Sequence, residues 1–575
     1  MLSAGFRSKI DAQTLVFQRL TVQDSGPRGP QSWCHLSPAS SPRIERSVPA
    51  ARDRLDRRML RIRNIGNPAS PQPVSLARRV QPIATMQPHP LRWYLVPAFI
   101  AIGGAPEAVA QGATTMVLVG TNVVESRRAE VMANATVVIE GRTIKAIGGS
   151  ELRPPPGARV IDARGTYLIP GLWDMHVHLA TYAVNGGPGA AALADNPDFF
   201  FPLFLAHGVT GVRDMSGRIE LLSRWRAETE SGVRLGPRIV HTGGKIGQWD
   251  RPVVPGAPPI KTDADFGRSA RMLAEAGASF LKADVATLEE LQALTRHAKV
   301  VGLPVVGHLP PTISLTTAVE LGMRSVEHLH GALAACSSVE SASIATARRE
   351  ASWWGRLLIR AGAWDGPKRF DRRSSEEIAA KDHERCLAVA RRLAAGGTWV
   401  VPTLIGLLAG ADLAPTPDAA RARLLPRAVT SRHVASRDSA AAAARFGRYL
   451  EIFGEFARGG APFLAGTDAP GSGRVPGASL GDELALMVRA GATPRQALYA
   501  ATEGPARFLG TIDSLGTVEP GKLADLVLLD RNPLVQIGDI QSVRAVISAG
   551  RWYDRADLDR LIASAVARVA EWNAR

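Results

Sequence analysis

From about Ala113 the chain runs in short β-rich pieces separated by turn residues: Thr115 to Gly120, Ala135 to Glu140, Thr143 to Ile147 and Arg159 to Ile161. Apolar, β-branched runs bounded by Gly, Pro, Asn and Asp read as strands. A matching set stands near the other end, at Ala524 to Leu529, Val543 to Ser548 and Trp552-Tyr553. The pattern predicts a small β-sandwich domain built from both ends. Between them, strand-like runs alternate with helical spacing. Candidate strands end at His178, Asp214, His241, Lys282, His308, His328, Thr403 and Asp468. Thr287 and Glu290 form a capping box ahead of Leu288, Leu291 and Leu294, and Gly302 closes that helix. Phe446, Leu450, Phe453 and Phe456 line one face of another helix, stopped by Gly459-Gly460.

Eight strand–helix units predict an α/β fold, a (β/α)8 TIM barrel, over residues 170–505. The sandwich takes 111–169 and 506–555, and 556–575 reads as a C-terminal helix. The extra length of the barrel falls near 331–397 and 405–460, after strands six and seven. Loops there emerge on the catalytic face and are candidate lids.

Residues 1–85 lack either period and are rich in Arg, Pro and Ser, a poor core former. Met86, Arg92, the apolar run Trp93 to Ile102 and Ala108-Val109-Ala110 then have the order of a secretory signal peptide over 86–110. The run is too short for a spanning helix. A secreted or periplasmic protein without stable membrane insertion is expected, and 1–85 reads as a disordered or over-extended start.

The formal net charge of +16 raises the question of nucleic acid. Fourteen Lys+Arg against five Asp+Glu within 1–85 account for +9 of it. No basic stripe with interleaved aromatics follows, so no nucleic-acid partner is expected. Removing the leader removes Cys34 and leaves Cys336 and Cys386. Paired cysteines persist in an oxidising compartment, so a disulfide is predicted, with two free buried thiols as the alternative.

The strand ends carry the chemistry. Tyr167 to Ala180 places His176 and His178 two apart, so both imidazoles leave one face of a strand. Imidazole is a common ligand for zinc. Lys282, His308, His328 and Asp468 stand at four more strand ends, and in a barrel such ends converge on one site. Asp214 reads either as an orienting group for a ligand histidine or as an ion-pair partner of Arg213. Glu327 reads as structural. His330 shares the parity of His328 and is a weak further candidate.

These pieces form an ordered set over about residues 113–555: Gly171-Leu-Trp-Asp-Met-His-Val-His, Gly208-Val-Thr-Gly-Val-Arg-Asp-Met, Phe280-Leu-Lys, Gly302 to His308, Ser325-Val-Glu-His-Leu, Gly466-Thr-Asp and Val518-Glu-Pro-Gly-Lys-Leu-Ala-Asp. The set resembles the amidohydrolase superfamily, in its imidazolonepropionase-like and prolidase-like branch of secreted hydrolases. The resemblance implies a centre of two divalent metal ions, Zn2+ by family inference, with His176, His178 and Asp468 on one and His308 and His328 on the other. It implies a carboxylated (carbamylated) Lys282 bridging them, and Asp468 as catalytic base. The implied reaction is hydrolysis of an amide bond in a dipeptide, N-acyl amino acid or similar small molecule by metal-activated hydroxide. A cyclic amide or lactone hydrolase is the alternative, and an inactive binding homologue ranks last. A homo-oligomer stays open. Relatives often carry tyrosine two positions after the bridging lysine; here that residue is Asp284. Trp353, Trp354, Trp364, Arg360 and Arg369 read either as an apolar wall with a carboxylate clamp or as ordinary lid packing.

Overall fold

A computed structural model describes residues 115–125, 130–180, 196–247, 259–361, 366–411, 413, 419–427, 439–471 and 473–574. Residues 1–85 and the expected signal peptide at 86–110 lie outside the described residues.

The strands, in chain order, begin with β1 (Thr115–Glu125), β2 (Glu130–Glu140), β3 (Thr143–Gly148), β4 (Arg159–Asp162) and β5 (Tyr167–Pro170). Then come β6 (Leu172–Val177), β7 (Val209–Asp214), β8 (Arg238–His241), β9 (Lys245–Ile246), β10 (Leu281–Ala283), β11 (Val305–Gly307), β12 (Ser325–Glu327) and β13 (Trp399–Val401). The last are β14 (Leu526–Leu529), β15 (Val543–Ser548) and β16 (Arg551–Tyr553).

Strands from the N-terminal and C-terminal regions share one sheet, in the order β16-β15-β14-β5-β1-β2-β3, with β4 also on β1. It is a single hydrogen-bonded sheet where two packed sheets were expected. The reason lies in β1. It pairs β2 along its length, takes β4 over Met116–Val119 on its other edge, and then takes β5 over Asn122–Val123. Register shifts around Thr121 let it bend between those neighbours. Leu118, Val137, Ile139, Leu168, Leu526 and Ile547 form a buried cluster within this region.

The middle of the chain is barrel-like α/β. β6, β7 and β8 form a parallel three-stranded sheet, and β9 to β13 a parallel five-stranded one. The ladder is not closed, and its two interruptions have local causes. Strand three is split into β8 and β9 by Thr242 to Gly244, where Gly243 takes φ +70°. Strand eight, around 463–469, makes isolated bridges to β13 and β6 instead of a ladder. It still exchanges backbone bonds with both sides: Leu464 N to Val400 O at 3.0 Å, Met175 N to Ala465 O at 2.8 Å and Asp468 N to His176 O at 2.7 Å. Gly466 permits this approach, since a Cβ there would meet His176 Cβ and Val401 Cγ1 at 2.8 Å.

The helix punctuation is as expected. Thr287 and Glu290 cap Leu288–Val301 reciprocally, and Gly302 ends it at φ +70°. The aromatic stripe lies on Ser439–Arg458, with Phe453 and Phe456 buried. The long excursion after strand six holds helices Glu340–Ala351, Trp353–Arg360, Gly366–Ala379 and His383–Ala395. A disulfide joins Cys336 to Cys386 across it, with Cα atoms 4.4 Å apart. No helix among the described residues is long and apolar enough to cross a membrane.

Candidate metal centre

The residues at the strand ends meet. Ligand atoms of His176, His178 and Asp468 lie within 4.8 Å of one another. Asp468 Oδ1 stands 3.0 Å from His178 Nε2 and 3.6 Å from His176 Nε2. The His328 ring lies 4.5 Å from His176 and 5.2 Å from His308, centroid to centroid. Lys282 sits in register with Val306 on one side and Lys245 on the other.

Local backbone departures aim these groups. Asp174 pairs Val212 and Val177 pairs Asp214, so β6 carries one extra residue between them. Such a bulge re-aims side chains. Met175 joins the cluster of Trp173, Phe280 and Val306, while His176 still turns to the site. His328, Leu329 and Asp468 take φ values of 57°, 54° and 59°. A positive φ is uncommon outside glycine and clusters at functional sites.

One ring nitrogen of each histidine is held by a neighbour. His176 Nδ1 meets Glu327 Oε2 at 2.8 Å, and His178 Nδ1 meets Ser216 Oγ at 3.1 Å. His308 Nδ1 meets Asp284 Oδ1 at 3.2 Å, and His328 Nδ1 meets Thr403 Oγ1 at 2.7 Å. Supports of this kind fix the orientation of a metal-binding ring. Burial pulls the His308 imidazole down to about 4 and the His176 and His328 imidazoles well below their ordinary value. Neutral rings are what a metal requires. Burial opposes ionisation of Asp468, but Arg474 and His178 outweigh it and hold its carboxyl well below the usual range. Arg474 donates from Nη2 to Asp468 Oδ2 at 3.2 Å.

The set also fits cations because of what it leaves unpaired. His176 Nε2 and Lys282 Nζ are buried without a hydrogen-bond partner. Buried polar atoms are normally satisfied, so each marks a missing partner. Burial, then nearby Lys245, brings the Lys282 ammonium down to about 8.

Glu327, read as structural, is the support of His176. It is fully buried and accepts Arg213 Nη2 at 3.0 and 2.9 Å. Alternation hid it, because β12 ends at Glu327 and the next two residues leave strand geometry. Arg213 therefore pairs with Glu327 and not with Asp214. Asp214 accepts the backbone amides of Leu179 at 2.5 Å and Ser216 at 3.1 Å, and burial pushes its carboxyl up to about 7. Asp284, noted as a departure from relatives, holds His308. Burial pushes Asp284 up, but the His308 hydrogen bond and Lys245 bring it down to about 2. Trp353 and Trp354 stack on each other at 3.9 Å while 61% and 58% exposed, so they line no closed wall. Arg369 pairs with Glu350 at 3.6 Å. Trp364 and the Arg360 side chain lie outside the described residues.

Residues 167–553 match the model of the amidohydrolase family, and the chain belongs to that family. An enamidase of Eubacterium barkeri is 41% identical over 87 residues, which are 12% of this chain and 22% of the enamidase. The chain thus spans about a fifth of that curated relative's length. Among solved structures, a Xaa-Pro dipeptidase with bound methionine in its active site superposes with a TM-score of 0.55 at 21% identity, covering 77% of this chain and 100% of its own. Bottromycin amidohydrolase gives 0.56 at 22% identity, over 79% and 90%. At these identities the structural likeness speaks for the fold alone. Within a member of that family, the His176, His178 and Asp468 cluster is the candidate metal site.

Proposed function

We propose that the protein is a zinc-dependent amidohydrolase that cleaves the amide bond of a dipeptide, an N-acyl amino acid or a similar small molecule. The observation that carries this reading is the pair of buried, unpartnered donors, His176 Nε2 and Lys282 Nζ, beside a carboxylate and three further imidazoles. In this reading His176, His178 and Asp468 would hold one cation and His308 and His328 the other, with carboxylated Lys282 as a shared ligand. Addition of the neutral Lys282 amine to CO2 releases one proton and leaves an anion. That removes the conflict between a buried ammonium and two cations. The domain division follows: 170–505 carries the reaction, and 111–169 with 506–555 brace it.

Bound divalent cations supply Lewis acidity and lower the pKa of water toward ~7. The chain supplies the rest. Glu327, Ser216, Asp284 and Thr403 each fix a histidine, so little reorganisation is needed when substrate arrives. Asp468 takes a proton from the attacking water and passes it to the leaving nitrogen. Arg474 keeps that carboxylate ionised and oriented. The Cys336–Cys386 disulfide supports export to an oxidising compartment, as the signal-like segment suggests.

The test is hydrolysis of a dipeptide and N-acyl amino acid library by protein of measured metal content. Chelation should abolish turnover. Asp468→Asn should lower kcat by about 10²- to 10⁴-fold. Undiminished turnover in that variant, at full metal loading, would overturn the base assignment. Turnover of lactones or cyclic amides alone would shift the substrate class.

A further inference from the structure

Beside the centre lies a recess of about 200 Å³, walled by Leu309, Ile313, Leu333, Ile344 and Tyr449. It adjoins the candidate ligands through His330, which is part of its wall. The His330 ring lies 5.0 Å from His308 and 5.4 Å from His328. Leu309 directly follows His308. The recess therefore begins next to the candidate ligands His308 and His328.

Its chemistry selects what enters. A cavity of about 150 Å³ holds a benzene ring. The volume here admits a phenyl or a branched aliphatic group. Arg373 is in the wall but already engaged: it pairs with Glu350, and its Nε is 4.0 Å from Glu377 Oε1. Glu340, also in the wall, pairs with Arg385 and leaves Oε1 buried without a hydrogen-bond partner. A carboxylate entering this space would meet Glu340 and Glu377. His330 Nδ1 is likewise buried and unpartnered, the only polar atom of that side chain so left.

We propose that this recess binds the uncharged apolar side chain of the substrate, aliphatic or aromatic, and sets the specificity of the centre, with the substrate's carboxylate kept outside it. His330 stands at the boundary between the recess and the candidate ligands. The proposal names the substrate class for the amide-hydrolase reading and rests on it for the direction of the substrate. Its test needs no turnover.

L-phenylalanine, L-leucine and glycine are titrated calorimetrically into the full-length, metal-loaded protein and into Ile344→Trp. Ile344 is half-buried, so the larger ring fills the recess from its edge. Ile344→Ala serves as the enlarging control. The wild type should bind phenylalanine and leucine at least tenfold more tightly than glycine. Ile344→Trp should reduce that preference to less than twofold with glycine binding unchanged, and Ile344→Ala should move it toward phenylalanine. Equal affinities in the wild type, or an undiminished preference in folded Ile344→Trp, would overturn the proposal. If the preference behaves as stated but no amide is hydrolysed, the amide-hydrolase reading fails and the recess stands.

Discussion

His176 and His308 are histidines at the rim of one barrel-like ring, and the protein holds them in opposite ways. His176 is fully buried, and its support, Glu327, is buried too, locked by Arg213. Arg213 in turn lies over Phe280 and Phe508 at 5.5 and 5.1 Å, and donates Nε to Met175 O at 2.6 Å. His308 is 24% exposed; its support, Asp284, is 19% exposed, with Lys245 a further 3.8 Å away at 27%. The closed half of the site is part of the core. The open half is partly solvated and its ion pair is loose. A buried pair depends on both members, because losing one strands a charge in low dielectric. A solvated pair is screened and individually weak. The first half ties the geometry of the candidate ligands to folding, whereas the second orients His308 at small cost to the fold.

The largest expected effect breaks the closed half. Arg213→Leu strands Glu327 and should cost about 3–5 kcal/mol of stability. Urea unfolding of metal-free protein measures it, and a loss under about 1 kcal/mol would remove the distinction drawn here. Next, Asp284→Asn leaves His308 with a weaker support. It should lower metal affinity about 10- to 100-fold while shifting unfolding by no more than about 1 kcal/mol. Competition with a chromogenic chelator reads the first quantity and the same urea curve the second. A large stability loss without a metal effect would reverse the assignment of the halves.

The smallest effect concerns pH. Glu483 is buried and accepts the amides of Leu404 at 2.9 Å and Ile405 at 2.7 Å, fixing the turn at Thr403 that meets His328. Burial pushes its carboxyl from 4.5 up to about 8. A folded-state value above the unfolded one favours folding at low pH. The contribution is complete below 4.5 and fades as pH rises through about 8. Glu483→Gln should flatten the stability profile over that window. Parallel profiles for the two proteins would argue against a protonated Glu483.

Much of the centre was legible because strand ends are conspicuous in a linear chain. An apolar run stops, and His, Lys or Asp stands where it stops. His176, His178 and Asp468 were readable for that reason, and the structure brings their donor atoms together. The supports were harder. Glu327 lies 151 residues from His176, and Thr403 lies 75 from His328. No local period links such residues. Asp284 was visible only as a departure, since nothing in its neighbourhood indicates that it meets His308.

The sequence by itself determined which elements form, because apolar period, capping residues and turn residues act over a few positions. It determined the family and the candidate ligands, because those residues recur in a fixed order. It also limited the pairing options of the cysteines, since only three occur, and two of them, Cys336 and Cys386, lie in the excursion after strand six. Tertiary structure alone decided that the ends form one bent sheet, since that rests on how β1 divides its edge between β4 and β5. It alone decided that Arg213 serves Glu327 and not Asp214, that Trp353 and Trp354 are exposed, and that a recess opens beside His330. The physical reason is range: capping and periodicity are energies between near neighbours, whereas burial, desolvation and long-range pairing exist only once distant strands share one core.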